Sequence, residues 1–134
     1  MPSTGDVTGA CLCGAVRFRI GLPTLFCGHC HCAMCRRNHG AGYVTWIGVP
    51  YARFAMEQGA EALVTYPSSE TGTRKFCGRC GTSLFCENTT HPEHLDIPLG
   101  VMDGPIDRDP QIHGSFDCRA PWVALGALEV DALE

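Results

Sequence analysis

The sequence predicts a mostly β chain of short strands held by thiol-bound metal, and three observations carry that reading. Short runs rich in β-branched and aromatic residues recur along the chain, separated by Gly- and Pro-containing turns. The length of 134 residues suits one domain, 1–134, able to bury a core of its own, with no internal repeat, low-complexity tract or linker. Ten cysteines gather as C-x-C and C-x-x-C groups, a spacing that suits metal ligation better than packing.

The first nine residues are small and polar and read as a frayed lead-in. In A-C-L-C-G-A-V-R-F-R-I, Val16, Phe18 and Ile20 alternate with Arg17 and Arg19, the period of a strand with one buried face. Cys11 and Cys13 continue that alternation, and Gly21-Leu22-Pro23 ends it. Phe26–Arg37 is the cysteine-rich stretch, and Asn38–Gly42 reads as loop. Tyr43–Val49, Arg53–Glu57, Ala62–Tyr66 and Ser83–Cys86 read as strands, with turns at Gln58-Gly59 and Pro67–Gly72. Leu95–Met102 reads as an edge strand, because Pro98 and Gly100 interrupt it. Ile112–Phe116 is a late strand, and a short helix is expected in the final residues.

Composition narrows the function classes. A net charge of −4 and a pI near 5.8 argue against general affinity for nucleic acid or anionic membrane. No apolar run approaches a membrane span, and the N-terminus lacks the basic and apolar regions of an export signal, so a cytoplasmic location is expected. In such a reducing compartment, clustered thiols read as zinc ligands rather than as a disulfide framework.

Two constellations follow. Cys11 and Cys13 at a strand end, with Cys77 and Cys80 on the knuckle C-G-R-C-G, suit a closed four-thiolate zinc that would tie the first strand to the middle of the chain. Its formal charge of about −2 would be offset by Arg74, Lys75 and Arg79, which stand close in sequence. The competing reading makes Cys11 and Cys13 ordinary core thiols.

Cys30, Cys32 and Cys35 form the second group, three thiols on six residues of backbone. An extended segment puts Cys30 and Cys32 on one face, and the following x-x-Cys turn can bring Cys35 to the same point. Spacing alone permits an open three-thiolate site or a structural one closed by Cys27, His29, His31 or His39. Cys118, His91, His94 and His113 read as idle or packing side chains, and Trp46 and Trp122 as core or pocket wall.

The succession G-A-C-L-C-G-A-V-R-F, C-H-C-A-M-C-R-R, R-K-F-C-G-R-C-G-T-S-L and the late A-P-W resembles the glutathione-dependent formaldehyde-activating enzyme family, which includes centromere protein V-type proteins. The resemblance covers nearly the whole chain and implies an Mss4-like zinc-bearing β fold of short antiparallel strands. It implies two Zn2+ per chain: a structural ion on Cys11, Cys13, Cys77 and Cys80, and a catalytic one on Cys30, Cys32 and Cys35 whose fourth position accepts a thiol or water. Cys27 and His29, just before the motif, depart from the pattern and are placed to crowd that position.

The implied chemistry is addition of glutathione to formaldehyde, giving S-(hydroxymethyl)glutathione, formally a carbon–sulfur lyase activity. Arg36, Arg37 and Arg74 are then candidate partners for the carboxylates of glutathione, with compensation of thiolate charge as the competing role. Oligomeric state leaves no mark in the sequence. The rival function class is a non-catalytic zinc module of the same fold, with both metals architectural.

Overall fold

A computed structural model describes residues 2–124 and 131–132. Two sheets enclose the main core. The smaller has the order β1 (Asp6–Ala10), β2 (Arg17–Gly21), β5 (Phe54–Gln58), all antiparallel. The larger contains β3 (Phe26–Cys30), β4 (Val44–Pro50), β6 (Leu63–Pro67), β7 (Gly72–Cys77), β8 (Ser83–Asn88), β9 (His94–Pro98), β10 (Ile112–Gly114) and β11 (Asp131–Ala132). Its spatial order is β11-β10-β3-β4-β9-β8-β7-β6. The mostly β architecture expected from the short alternating runs is the one observed.

Strand alternation decides which side chains meet. Val16, Phe18 and Ile20 are fully buried, while Arg17 and Arg19 reach surface carboxylates at Asp103, Asp6 and Glu57. Phe18 stands 5.9 Å from Phe54 and 5.1 Å from Phe85, ring centre to ring centre, which joins the two sheets. From the large sheet the same core receives Cys27, Ile47, Val49, Leu84, Leu95 and Ile97. The opposite face of β3 and β4 presents Phe26, Cys30, Val44 and Trp46 to a second, smaller cluster with Cys32, Cys35 and Cys86. The helix α1 (Ala33–His39), which carries Cys35, contributes to that cluster.

Several expectations are corrected. Residues 6–10 are not a frayed lead-in but β1, paired with β2 from Asp6↔Gly21 to Ala10↔Arg17. Cys11 and Cys13 lie in the β1–β2 connection rather than along a strand. Asn38 and His39 are the last residues of α1, stopped by Gly40 in the left-handed conformation at φ 61°. β9 is not an edge strand, since it lies between β4 and β8. Pro98 is tolerated because β8 bridges β9 only at Cys86↔Asp96, leaving Pro98 beyond that pairing. Strands are not all antiparallel: β10 runs parallel to both β3 and β11. The late strand stops at Gly114 and gives way to a 3-10 turn, Phe116–Cys118. The helix expected in the final residues falls mostly outside the described residues, and the two described there, Asp131–Ala132, form a strand.

Candidate metal centres and active site

The first cluster is assembled by two tight connections. Cys11 is held by its N–H to the Val16 carbonyl at 3.1 Å, and its Sγ accepts from the Val16 N–H at 3.3 Å. In the β7–β8 connection, Gly81 N–H closes on the Cys77 carbonyl at 2.8 Å, and Arg79 N–H donates to Cys77 Sγ at 3.4 Å. Gly81 adopts φ 82°, which a side chain would strain. Thr82 ties the two connections together, accepting from Leu12 N–H at 3.0 Å and lying 3.2 Å from Cys80 Sγ. Hydrogen bonds from Thr82 draw the Cys80 pKa down to about 5.

The four sulfurs fit zinc. They lie within 4.8 Å of one another, with Cys11–Cys13 at 3.6 Å and Cys13–Cys77 at 3.8 Å. A tetrahedral ion with bonds of about 2.3 Å sets its sulfurs about 3.8 Å apart, whereas a disulfide would require about 2.05 Å. All ten cysteines are free thiols.

The second cluster is built at the junction of β3 and α1. Cys30 ends the strand, and Cys32 caps the helix with Sγ accepting from Cys35 N–H at 3.3 Å. Cys35 follows in the first helical turn, so the three sulfurs lie within 4.8 Å of one another. A cysteine thus performs the cap usually made by Ser, Thr, Asn or Asp, and the same geometry gathers the donors. Three clustered thiols suit a thiophilic ion such as zinc.

Arg74 is the charged partner of this cluster. It is 7% exposed, donates from Nη2 to Cys35 Sγ at 3.5 Å, and stands 5.8 Å over the Trp46 ring. A hydrogen bond from the Cys30 thiol, opposed by burial and aided by Arg74, holds the Cys35 pKa down at about 4. Cys30 is pushed far up by that same bond and by burial.

None of the four residues considered for closing the second site joins the cluster. Among the described residues no fourth Cys, His, Asp or Glu comes within 4.8 Å of all three sulfurs. Strand parity is the reason. Cys27 and His29 face opposite to Cys30, with Cys27 in the main core and His29 bonded to Thr45 Oγ1 at 2.8 Å. His31 is fully buried and sets Nε2 2.7 Å from His113 Nδ1. His39 packs edge-on to Trp46 at 5.4 Å. Cys27 and His29 therefore do not crowd the three thiols.

The charge expected around the first cluster is also redistributed. Arg74 belongs to Cys35, and Lys75 pairs with Glu87 at 2.9 Å, leaving the Arg79 backbone N–H at Cys77. Arg36 is half-buried on α1 and Arg37 exposed. Trp46 is core, whereas Trp122 is 71% exposed and rests over Gly42. Sequence reasoning took His113 only as an idle or packing side chain and passed over Asp96. His113 is 2% exposed and pairs in register with His29 across the parallel strands, which no local pattern announces. Asp96 carries a carboxyl raised to about 6 by burial, with its Oδ1 lacking a hydrogen-bond partner. The broad surface clefts, beside Arg19 and Arg53 and beside Val7 and Asp103, share no residue with either cysteine cluster.

Comparison with known proteins agrees with this geometry. The chain is 29% identical over 130 residues to a Halomonas elongata protein named, provisionally, as a glutathione-dependent formaldehyde-activating enzyme, covering 92% of this chain and 83% of that one. It is 34% identical over 124 residues to an uncharacterised lyase of Schizosaccharomyces pombe, covering 84% and 83%. The crystal structure of a Rhodobacter sphaeroides protein superposes with a TM-score of 0.64 at 23% identity, covering 94% and 99%, and shares the fold. The profile of the family described as glutathione-dependent formaldehyde-activating enzyme matches residues 6–117, a span that takes in both cysteine clusters, and the chain belongs to that family.

Proposed function

We propose that this chain, acting as one domain over residues 1–134, adds glutathione to formaldehyde to give S-(hydroxymethyl)glutathione, a carbon–sulfur lyase reaction at Cys30, Cys32 and Cys35. One observation carries the reading: three sulfurs converge beside a buried arginine, and no fourth Cys, His, Asp or Glu among the described residues completes the set. Cys11, Cys13, Cys77 and Cys80 would hold a structural zinc, and the three-thiol cluster would hold the second. Zinc bound there supplies Lewis acidity that lowers the pKa of a thiol brought to it.

The chain's own residues do the rest. The Cys30 thiol and, after it, Arg74 favour the thiolate at Cys35, and the Trp46 ring lies over that guanidinium. Arg36 and Arg37 follow Cys35 along α1 and are the proposed partners for the carboxylates of glutathione. Arg74, the third candidate, is engaged by Cys35 instead. In the addition, a sulfur–carbon bond forms, the carbonyl π pair moves to oxygen, and the thiol proton ends on that oxygen. No oxidant or reductant is needed.

Zinc-loaded protein should accelerate exchange between 13C-formaldehyde, glutathione and the adduct, read by NMR, by at least about tenfold over the spontaneous rate. Cys32→Ser should return the rate to background. A protein that binds two zincs yet leaves the exchange unchanged contradicts the enzyme and supports an architectural zinc module.

A further inference from the structure

Buried side-chain atoms without a hydrogen-bond partner gather on one face of the large sheet: Nε and Nη1 of Arg74, Oδ1 of Asp96 and Nε2 of His39. Register puts Arg74 and Asp96 there. Arg74 on β7 pairs with Cys86 on β8, and Cys86 pairs with Asp96 on β9, so the three side chains stand in one row on the same side of the sheet. That side carries the three-thiol cluster, since Cys86 packs against Cys35, Val44 and Trp46. His39 follows Cys35 by one turn of α1 and shares its face of the helix.

Arg74 reaches across this row. Its guanidinium lies 5.8 Å from the centre of the Trp46 ring, yet Trp46 is on β4, three strands away at about 4.8 Å per strand. The two side chains therefore meet above β8 and β9, over the small Cys86 side chain and beside Asp96. With Nη2 given to Cys35 Sγ, Nε–H and Nη1–H of Arg74 remain as idle donors. Gly48 continues the row on β4 without a side chain, and the Phe26 ring lies over it as an apolar wall next to Asp96. The place is not sealed. Cys30, Cys32 and Cys86 are part-exposed, and the Asp96 side chain is 33% exposed although its Oδ1 is buried. A buried polar atom left unpaired costs about 1–3 kcal/mol, so idle donors gathered beside an idle carboxyl oxygen point to an oxygen-bearing guest.

We propose that Asp96 is the proton-transfer residue of the addition, giving its proton to the carbonyl oxygen of the aldehyde while the free N–H groups of Arg74 hold that oxygen. The inference rests on the thiol-addition reading and names the proton carrier that reading leaves open. As the sulfur–carbon bond forms, the carbonyl π pair moves to oxygen and takes up the carboxyl proton. The proton given up by the thiol restores the carboxyl through solvent. In the reverse direction the Asp96 carboxylate is the base. Arg74 meets the negative charge as it develops on oxygen. Burial raises the Asp96 carboxyl to about 6, with Cys35 adding to the rise and His94, His91 and Arg74 opposing it, which suits both directions near neutral pH. The neighbouring groups do not compete for this role. Burial pushes the Cys86 thiol up to about 11, pushes Tyr51 up as well, and lowers His39.

The test is exchange of 13C-formaldehyde with glutathione on the zinc-loaded full chain, read by NMR across pH. Asp96→Asn should lower kcat by about tenfold or more, hold KM for glutathione, and keep its zinc content and fold. In wild type, kcat for addition should fall as pH rises through about 6. Asp96→Asn should lack that limb, and Asp96→Glu should recover part of the rate together with the limb. Independently of turnover, the 13C-labelled Asp96 carboxyl, assigned by its absence in Asp96→Asn, should titrate near 6. An Asp96→Asn variant with wild-type kcat, or one that loses kcat but keeps the limb, overturns the proton role and leaves the lyase. A carboxyl already ionised at pH 4 does the same. A wild type that does not accelerate exchange removes the lyase and this role together.

Discussion

Arg74 lies on β7, yet its guanidinium reaches a helix cysteine, donating to Cys35 Sγ and adding to the effect of the Cys30 thiol in favouring the Cys35 thiolate. A charge-assisted hydrogen bond of this kind contributes about 1.5–3 kcal/mol. Arg74→Met should therefore weaken zinc at the three-thiol site by about tenfold or more and leave the four-thiol site unchanged, measured by competition with a chromogenic chelator. Equal affinity at both sites would remove Arg74 from the account. Asp96 offers a second test. Its folded pKa, about 6, is raised by burial above the ordinary 3.8, with the charges of His94 and His91 opposing. His94 Nε2 stands 3.5 Å from Asp96 Oδ1 without forming an aligned hydrogen bond. The folded state holds the proton more tightly, so stability falls as pH rises through roughly 4 to 6. Asp96→Asn should gain about 1 kcal/mol more over wild type at pH 8 than at pH 5, by denaturant unfolding at each pH. A difference independent of pH, or of opposite sign, would show that burial does not govern this carboxyl.

Elements differ in how much of them the sequence discloses. β2 was legible because Val16, Phe18 and Ile20 face a core while Arg17 and Arg19 face water. β3 was hidden because both of its faces are buried, Cys27 in one cluster and Cys30 in the other, so no polar side marks the alternation. α1 was hidden for a different reason. A helix of seven residues has little stability of its own, and this one is set by the Cys32 cap and the Gly40 stop rather than by propensity. Gly40 with Arg36, Arg37 and His39 before it was the available signal, cations in a last turn followed by glycine. Cys32→Ser should keep the cap while losing a metal ligand, and Cys32→Ala should lose both. By denaturant unfolding the alanine variant should be about 1 kcal/mol less stable than the serine variant, and equal stabilities would contradict the capping role.

At the scale of the whole molecule, the two cysteine groups do different work. Cys11 and Cys13 from the β1–β2 connection meet Cys77 and Cys80 from the β7–β8 connection, so that cluster joins the two sheets. Cys30, Cys32 and Cys35 bind one local junction. Both groupings were readable from cysteine spacing, because C-x-C and C-x-x-C runs are the spacing that metal ligation favours and need no local structural pattern to be recognised. The parallel seating of β10 on β3 was not readable: Ile112 opposes Gly28 and His113 opposes His29 across a long stretch of chain, and parallel pairing leaves no turn signature. That seating brings His113 to His31, which lies between Cys30 and Cys32 in sequence. No helix among the described residues is long and apolar enough to cross a membrane.

The most direct measurement is zinc per chain, with far-UV circular dichroism, for wild type beside the Cys30→Ser/Cys32→Ser/Cys35→Ser variant. The account predicts about two zincs falling to about one, with the β spectrum retained and formaldehyde exchange lost. A variant that keeps both zincs, or that unfolds, would contradict an open, catalytic site at these three thiols.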